Sequence, residues 1–253
     1  MDPVTVETAI EDADERLVAA IAGRLALAAS EPASAFPVSP ARDAAVLRRL
    51  TRMTSAPPDT VARLWRALSG DIWVARGLKA VYVAGGDPAQ LLLGARGYFG
   101  FGVDVIQVLD IREALEKADN ASDILACLPW PENAGPGQWW PILNENRFRS
   151  LSILAGWPNL PGAPSEAPKV AIVGKLPQEP SGEDDMLATA HDDAFGAERC
   201  LQMARLSGEV VARARSLALI RLREFVHADD HRLDIARKAG LDGLRIVGVR
   251  PRP

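Results

Sequence analysis

The residues with the clearest chemical potential are cations spaced along what read as helices. Arg24 falls between Ile21 and Ala28, on an apolar stripe that also holds Val6, Ile10, Ala13 and Leu17 at close to the 3.6-residue period. A guanidinium on such a seam needs an anion, and a dicarboxylate ligand would supply one. Arg42 and Asp43 stand at the start of a second helical segment, with Arg48 and Arg49 about one turn later, and Arg76 at the end of a third. Cations so placed can converge on one side of a helical bundle. Each can also be a surface arginine whose stem lies along apolar neighbours. The remaining candidates carry less. Cys127 and Cys200 lie far apart and fit no metal spacing, so both read as reduced, buried small residues. His227 and His231 are four apart, but neither His191 nor any other residue supplies a third ligand. The sequence therefore calls for no metal and no cofactor.

The elements that must position these arginines are legible from period and punctuation. A first helix runs from about Val4 to Ser30. At 1.5 Å per residue it is about 40 Å long, too long to be covered by a small domain, so a second copy of the chain is expected along it. Pro32 and Pro37 end it. Ser39-Pro40 is a helix start, with the serine as N-cap and the proline in the first turn. Pro57-Pro58-Asp59 stops that second helix and opens a third. Its predicted apolar face is Val61, Leu64, Trp65, Leu68 and Ile72, and Gly77 is its stop.

The pattern then changes to βαβαβ: strand Ala80–Val83, a Gly85-Gly86 turn and helix, strand Val103–Val108, a helix capped by Asp110 and Glu113, and strand Ile124–Leu128. The Gly85-Gly86 turn could bind an anion, although a plain turn explains it. Trp139-Trp140 reads as core or interface. A loop rich in Pro, Gly and Ser, from Gly156 to Pro168, reads as a linker. After strand Lys169–Gly174, the chain from Met186 onward has the order βαββαβ of a ferredoxin-like unit, with helices at Ala194–Leu206 and Asp230–Ala239. The expected fold is thus an all-α three-helix N-terminal unit (1–78), then an α/β unit (79–156) and a ferredoxin-like α+β unit (169–253).

Composition bounds the function. Net charge is −4 with no long basic run, which argues against nucleic acid as a partner. Apolar runs fall short of the roughly 20 residues that cross a bilayer, so no membrane partner is expected. The acidic, polar stretch Met1–Asp14 is unlike a signal peptide, and a cytoplasmic protein is expected.

Three stretches carry a family resemblance. Ala13-Asp14-Glu15-Arg16-Leu17 through Gly23-Arg24, Ser39-Pro40-Ala41-Arg42-Asp43 through Leu50, and Val61 through Leu68 resemble the three helices of AroQ-class (type II) chorismate mutases. The resemblance implies a homodimer that rearranges chorismate to prephenate in phenylalanine and tyrosine biosynthesis, with no cofactor. It implies that Arg24 and Arg42 bind substrate carboxylates, that Asp43 binds the substrate hydroxyl, and that Arg76, in place of a glutamine, is the catalytic donor at the ether oxygen. The sequence departs from the family at Glu7, Ala35 and Ile72, where an arginine, a lysine and a serine are usual. A catalytically inactive homologue that binds or senses a ligand is the alternative.

Further on, Ala126 through Gly135, with Pro131-Glu132-Asn133, is similar to a prephenate dehydratase segment. The Thr-Arg-Phe motif of that family is missing, and the unit is about half the usual length, so no dehydratase activity is expected. The C-terminal βαββαβ resembles an ACT domain. Asp192-Asp193-Ala194-Phe195-Gly196 occupies the loop where such domains bind amino acids, which implies an aromatic amino-acid effector.

Overall fold

The computed structural model describes residues 3–30, 36–158 and 168–252. Three helices come first: α1 (Pro3–Ser30), α2 (Pro40–Arg52) and α3 (Pro58–Ala75). Ser39 caps α2 as expected, its side chain accepting from the Arg42 amide at 3.4 Å. Gly77, at φ 105°, follows the C-cap Arg76 and turns the chain out of α3 at a conformation that a side chain would oppose. The buried face of α3 differs from the predicted one. Ala62, Arg66, Ser69, Gly70, Ile72 and Trp73 point inward, while Leu64 is 65% exposed. The reason is a polar pairing described below, which draws Arg66 inward and leaves Leu64 facing solvent.

The rest of the chain builds one mixed sheet of nine strands. In chain order these are β1 (Ala80–Val83), α4 (Pro88–Phe99), β2 (Val105–Gln107), α5 (Ile111–Asn120), β3 (Ile124–Pro129), β4 (Ser152–Trp157) and β5 (Val170–Gly174). Then come β6 (Asp184–His191), α6 (Ala197–Met203), β7 (Gly208–Ala214), β8 (Leu217–Leu222), α7 (His231–Lys238) and β9 (Asp242–Pro251). The strand order is β2-β1-β3-β5-β4-β9-β6-β8-β7. The first three are parallel, as βαβ crossovers require. β5 is antiparallel to both β3 and β4 and lies between them. The strand that follows the Pro/Gly/Ser-rich loop therefore completes the sheet of the α/β unit. Residues 159–167 of that loop lie outside the described residues.

The last four strands run β9-β6-β8-β7, all antiparallel, the spatial order of a ferredoxin-like unit. α6 begins at Ala197 rather than Ala194, because the Asp192 carboxylate accepts from the Gly196 amide at 2.8 Å and Phe195 takes φ 52°. The two halves meet where β4 runs parallel to β9 through the single register pair Ile153 and Gly248. A Cβ on Gly248 would lie 2.6 Å from Ile153 Cβ, so glycine is what permits the approach.

Three cores follow from this arrangement. Tyr98, Phe99 and Trp73 from α3 and α4 pack on one face of β1, β3, β4 and β5. On the opposite face lie α5 and the 3-10 turns between Gly135 and Phe148, with Trp139, Trp140 and Phe148 buried against the sheet. α6 and α7 cover one face of the C-terminal strands. Arg245 fastens the 3-10 turns to β9 by donating to the Leu143 and Arg149 carbonyls at 2.7 and 2.6 Å. Arg48 of α2 likewise donates to the Ser181 and Arg252 carbonyls, tying the helices to the sheet. No helix among the described residues is long and apolar enough to cross a membrane.

Candidate functional site

α1, α2 and α3 enclose a cleft of about 540 Å³. Arg24 reaches it from α1, Arg42 and Asp43 from the first turn of α2, and Arg76 from the end of α3, so all four site residues expected from sequence line the same space. Arg49 adds a further cation, and Trp65, Trp73 and Ile72 give it apolar walls. Among the described residues Arg24 makes neither an ion pair nor a side-chain hydrogen bond. Among the described residues that line it, Asp43 is the only carboxylate, and no thiol or imidazole joins it.

The four are not alike in their surroundings. Asp43 is 6% exposed, and its carboxylate is already engaged. One oxygen accepts from Trp65 Nε1 at 2.7 Å and Ser69 Oγ at 3.1 Å, and the other from the Arg66 guanidinium. Arg66 is itself buried, with its Cζ 4.4 Å from the centre of the Tyr98 ring and 5.6 Å from that of Trp157. Asp43 thus neutralises Arg66 inside the protein. Burial pushes the Tyr98 hydroxyl far above its ordinary range, with the Arg66 charge opposing part of the shift.

Arg66 is the functional-site residue that sequence reasoning missed. The signal lay in the spacing of Ala62, Arg66, Ser69 and Gly70, a small-and-polar stripe at helical period that marks a face packed closely against a polar partner. Of the positions where the sequence departs from the mutase pattern, Ile72 lines the cleft and is buried. Glu7 is exposed on α1; its seventeen positions from Arg24 amount to about 25 Å of helix. Ala35 lies outside the described residues.

The other expected motifs fall elsewhere. The Gly85-Gly86 turn has positive φ at both glycines and borders a small cleft of about 210 Å³, with Asp87 capping α4. The Asp192–Gly196 loop borders a cleft of about 610 Å³ with Arg213, whose guanidinium donates to Asp192 at 2.7 Å and lies 4.6 Å from the Phe195 ring centre. Asn133 ties the Trp130–Ala134 segment to β7, its side chain accepting from the Arg213 amide at 2.7 Å. Within the α/β unit, Asn146-Arg147-Phe148 keeps two residues of Thr-Arg-Phe; Phe148 is fully buried and the exposed Arg147 pairs with Glu116 at 2.7 Å. Cys127 and Cys200 are both buried and free. Among the described residues no cluster of His, Cys, Asp or Glu is arranged to hold a metal.

No protein-family model and no curated protein matches the sequence. Solved structures similar to the chain include the quorum-quenching acylase GqqA, at 12% identity and TM-score 0.45, covering 68% of this chain and 95% of that one. The prephenate dehydratase of Streptococcus mutans is similar at 11% identity and TM-score 0.41, over 69% of this chain and 100% of that one. A prephenate dehydratase from Arthrobacter aurescens in complex with L-Phe is similar at 16% identity and TM-score 0.44, over 68% and 90%.

Proposed function

We propose that the helical cleft binds chorismate and rearranges it to prephenate. The observation that carries this reading is the convergence of Arg24, Arg42, Arg49 and Arg76 from three helices on one space, where Asp43 is already engaged by Arg66. Such a cleft suits a small dianion. It also suits a reaction that asks for no nucleophile and no proton transfer. The rearrangement is concerted, so the protein need only hold the folded conformer by its carboxylates and place a donor at the breaking ether oxygen. Arg24 and Arg42 take the carboxylates, and Arg76 is the donor. Asp43 acts through its neighbours: it holds Trp65 and Ser69 in the wall rather than meeting the substrate hydroxyl itself. No dehydration is assigned to the α/β unit.

The assembly proposed is a homodimer through α1. Val6, Ile10, Leu17 and Ile21 are exposed on the same helical face that, further along, carries Arg24 and the buried Ala28. An apolar stripe that is covered at one end and bare over about 22 Å at the other fits a second copy of the chain.

A purified-protein assay of chorismate disappearance tests the function. Turnover well above the uncatalysed rate, abolished by filling the cleft with a transition-state analogue, is the expected result. A second reading, a ligand-binding protein of aromatic amino-acid metabolism without turnover, is favoured by the sequestration of Asp43 and by Ile72 in the wall. Tight analogue binding with no turnover would select it. For either reading, the cleft beside Asp192 and Arg213 is the proposed place for an aromatic amino-acid effector, tested by the shift in melting temperature on adding L-Phe.

A further inference from the structure

A cleft of about 490 Å³ lies on the far side of the molecule's seam, between the Trp130–Ala134 segment and the face of β6, β7, β8 and β9 that α6 and α7 leave uncovered. Its floor holds Arg250 of β9. The Arg250 side chain is only 17% exposed, yet its buried Nε has no hydrogen-bond partner among the described residues. The one opposing charge near it is Asp185, its register partner on β6, with Nη1 and Oδ2 4.0 Å apart, beyond hydrogen-bond reach. Burial lowers the Arg250 pKa, with Asp185 offsetting part of that effect. The second arginine of the cleft, Arg221, is occupied: it donates to Glu209 from Nε at 3.1 Å and from Nη2.

A mostly buried guanidinium that lines a cleft, has one long ion pair and keeps an Nε donor without an acceptor among the described residues is a costly arrangement unless something completes it. The walls say what kind of group fits. Trp130 stands with its ring centre 5.8 Å from Arg250 Cζ, and Leu187, Val211 and Pro168 extend the apolar surface. Asp185 and Glu132 also border the cleft, so a dianion would meet two carboxylates, with Arg250, itself 4.0 Å from Asp185, left to offset them. We infer that this cleft binds a small monocarboxylate with a flat apolar body, its carboxylate on Arg250 and its body along Trp130. A plain carboxylic acid and an α-amino acid share that chemistry and differ at Asp185, which would repel the first and pair with the ammonium of the second.

The test is titration of the full chain with phenylacetate, with L-phenylalanine and with inorganic phosphate, read by the NMR shift of the Trp130 indole N–H, assigned through Trp130→Phe. Saturable shifts of that signal by phenylacetate or phenylalanine, and not by phosphate, are expected. Arg250→Gln should weaken binding about ten- to a hundred-fold, the loss expected for one charged hydrogen bond. Asp185→Asn should tighten phenylacetate binding and weaken phenylalanine binding. The wild-type titration stands even if Arg250→Gln fails to fold. No saturable shift with either carboxylate, an equal response to phosphate, or unchanged affinity in folded Arg250→Gln would overturn the inference.

Discussion

Arg66 and Asp43 meet inside the protein, the guanidinium of α3 donating to the carboxylate of α2, with both residues less than a tenth exposed. This pair fixes the angle between the two helices that carry Arg42 and Arg76. Asp43→Ala leaves Arg66 buried without a counter-charge, and should destabilise the protein by about 3–5 kcal/mol. The double change Asp43→Leu with Arg66→Met should recover most of that loss. Urea unfolding of the single and double variants measures both; equal losses in the two would show that the pair is not the source.

The cleft arginines should separate kinetically. Arg24→Ala and Arg42→Ala should weaken turnover and analogue binding by about one to two orders of magnitude, since each charged hydrogen bond contributes roughly 1.5–3 kcal/mol. Arg76→Ala should lower kcat more than it raises KM, because charge on the ether oxygen grows only in the transition state. The melting temperature should change little for Arg24→Ala. Wild-type turnover and analogue binding in both Arg24→Leu and Arg42→Ala would remove the site from the helical cleft.

Tyr98 ties stability to alkaline pH. Its hydroxyl is pushed up in the folded protein, chiefly by burial. The folded state therefore keeps its proton more tightly than the unfolded chain does. That stability is fully present below the ordinary tyrosine value of about 10 and is lost as pH rises above it. The buried Cys127 thiol, also raised by burial, adds the same sign from about pH 8.5. The melting temperature should fall more steeply above pH 9 in the native protein than in Tyr98→Phe/Cys127→Ala. Parallel curves would refute the assignment.

The bare stripe of α1 predicts a species that depends on it. Light scattering at micromolar concentration should give twice the chain mass, and Leu17→Glu with Ile21→Glu should halve it with helix content retained. A monomeric native protein with α1 intact would exclude this assembly.

Prephenate should not yield phenylpyruvate above background, since the α/β unit carries no Thr-Arg-Phe motif. Chromatographic detection of product from purified protein checks this directly.

Much of this arrangement was legible in the residues. Helix starts at Ser39, Asp110 and Asp230 are written in local capping chemistry, and each of these side chains accepts from an amide of its first turn. Helical spacing allowed Arg24, Arg42 and Arg76 to converge, whereas the choice of Asp43 beside them came from the family resemblance. What period could not disclose was pairing at a distance. The claim of Arg66 on Asp43, across 23 positions, turned α3 about its axis and put Leu64 outside. The place of β5 between β3 and β4 is equally invisible locally, because an apolar run of five residues says that a strand is buried and not which neighbours it takes.

The seam at Ile153 and Gly248 bears on how the chain is made. β4 and β9 are neighbours in the sheet, but a ribosome delivers them 85 residues apart at the nearest, from Trp157 to Asp242. At roughly 5–20 residues per second, β4 waits some seconds for the strand that covers its outer edge. β6 waits for the same strand on its other side. Of the described strands β9 is the last delivered, and it alone joins the two halves. A nascent chain therefore carries two separate sheets with open edges until the closing strand emerges, and that interval is when it is most exposed to pairing with the wrong neighbour.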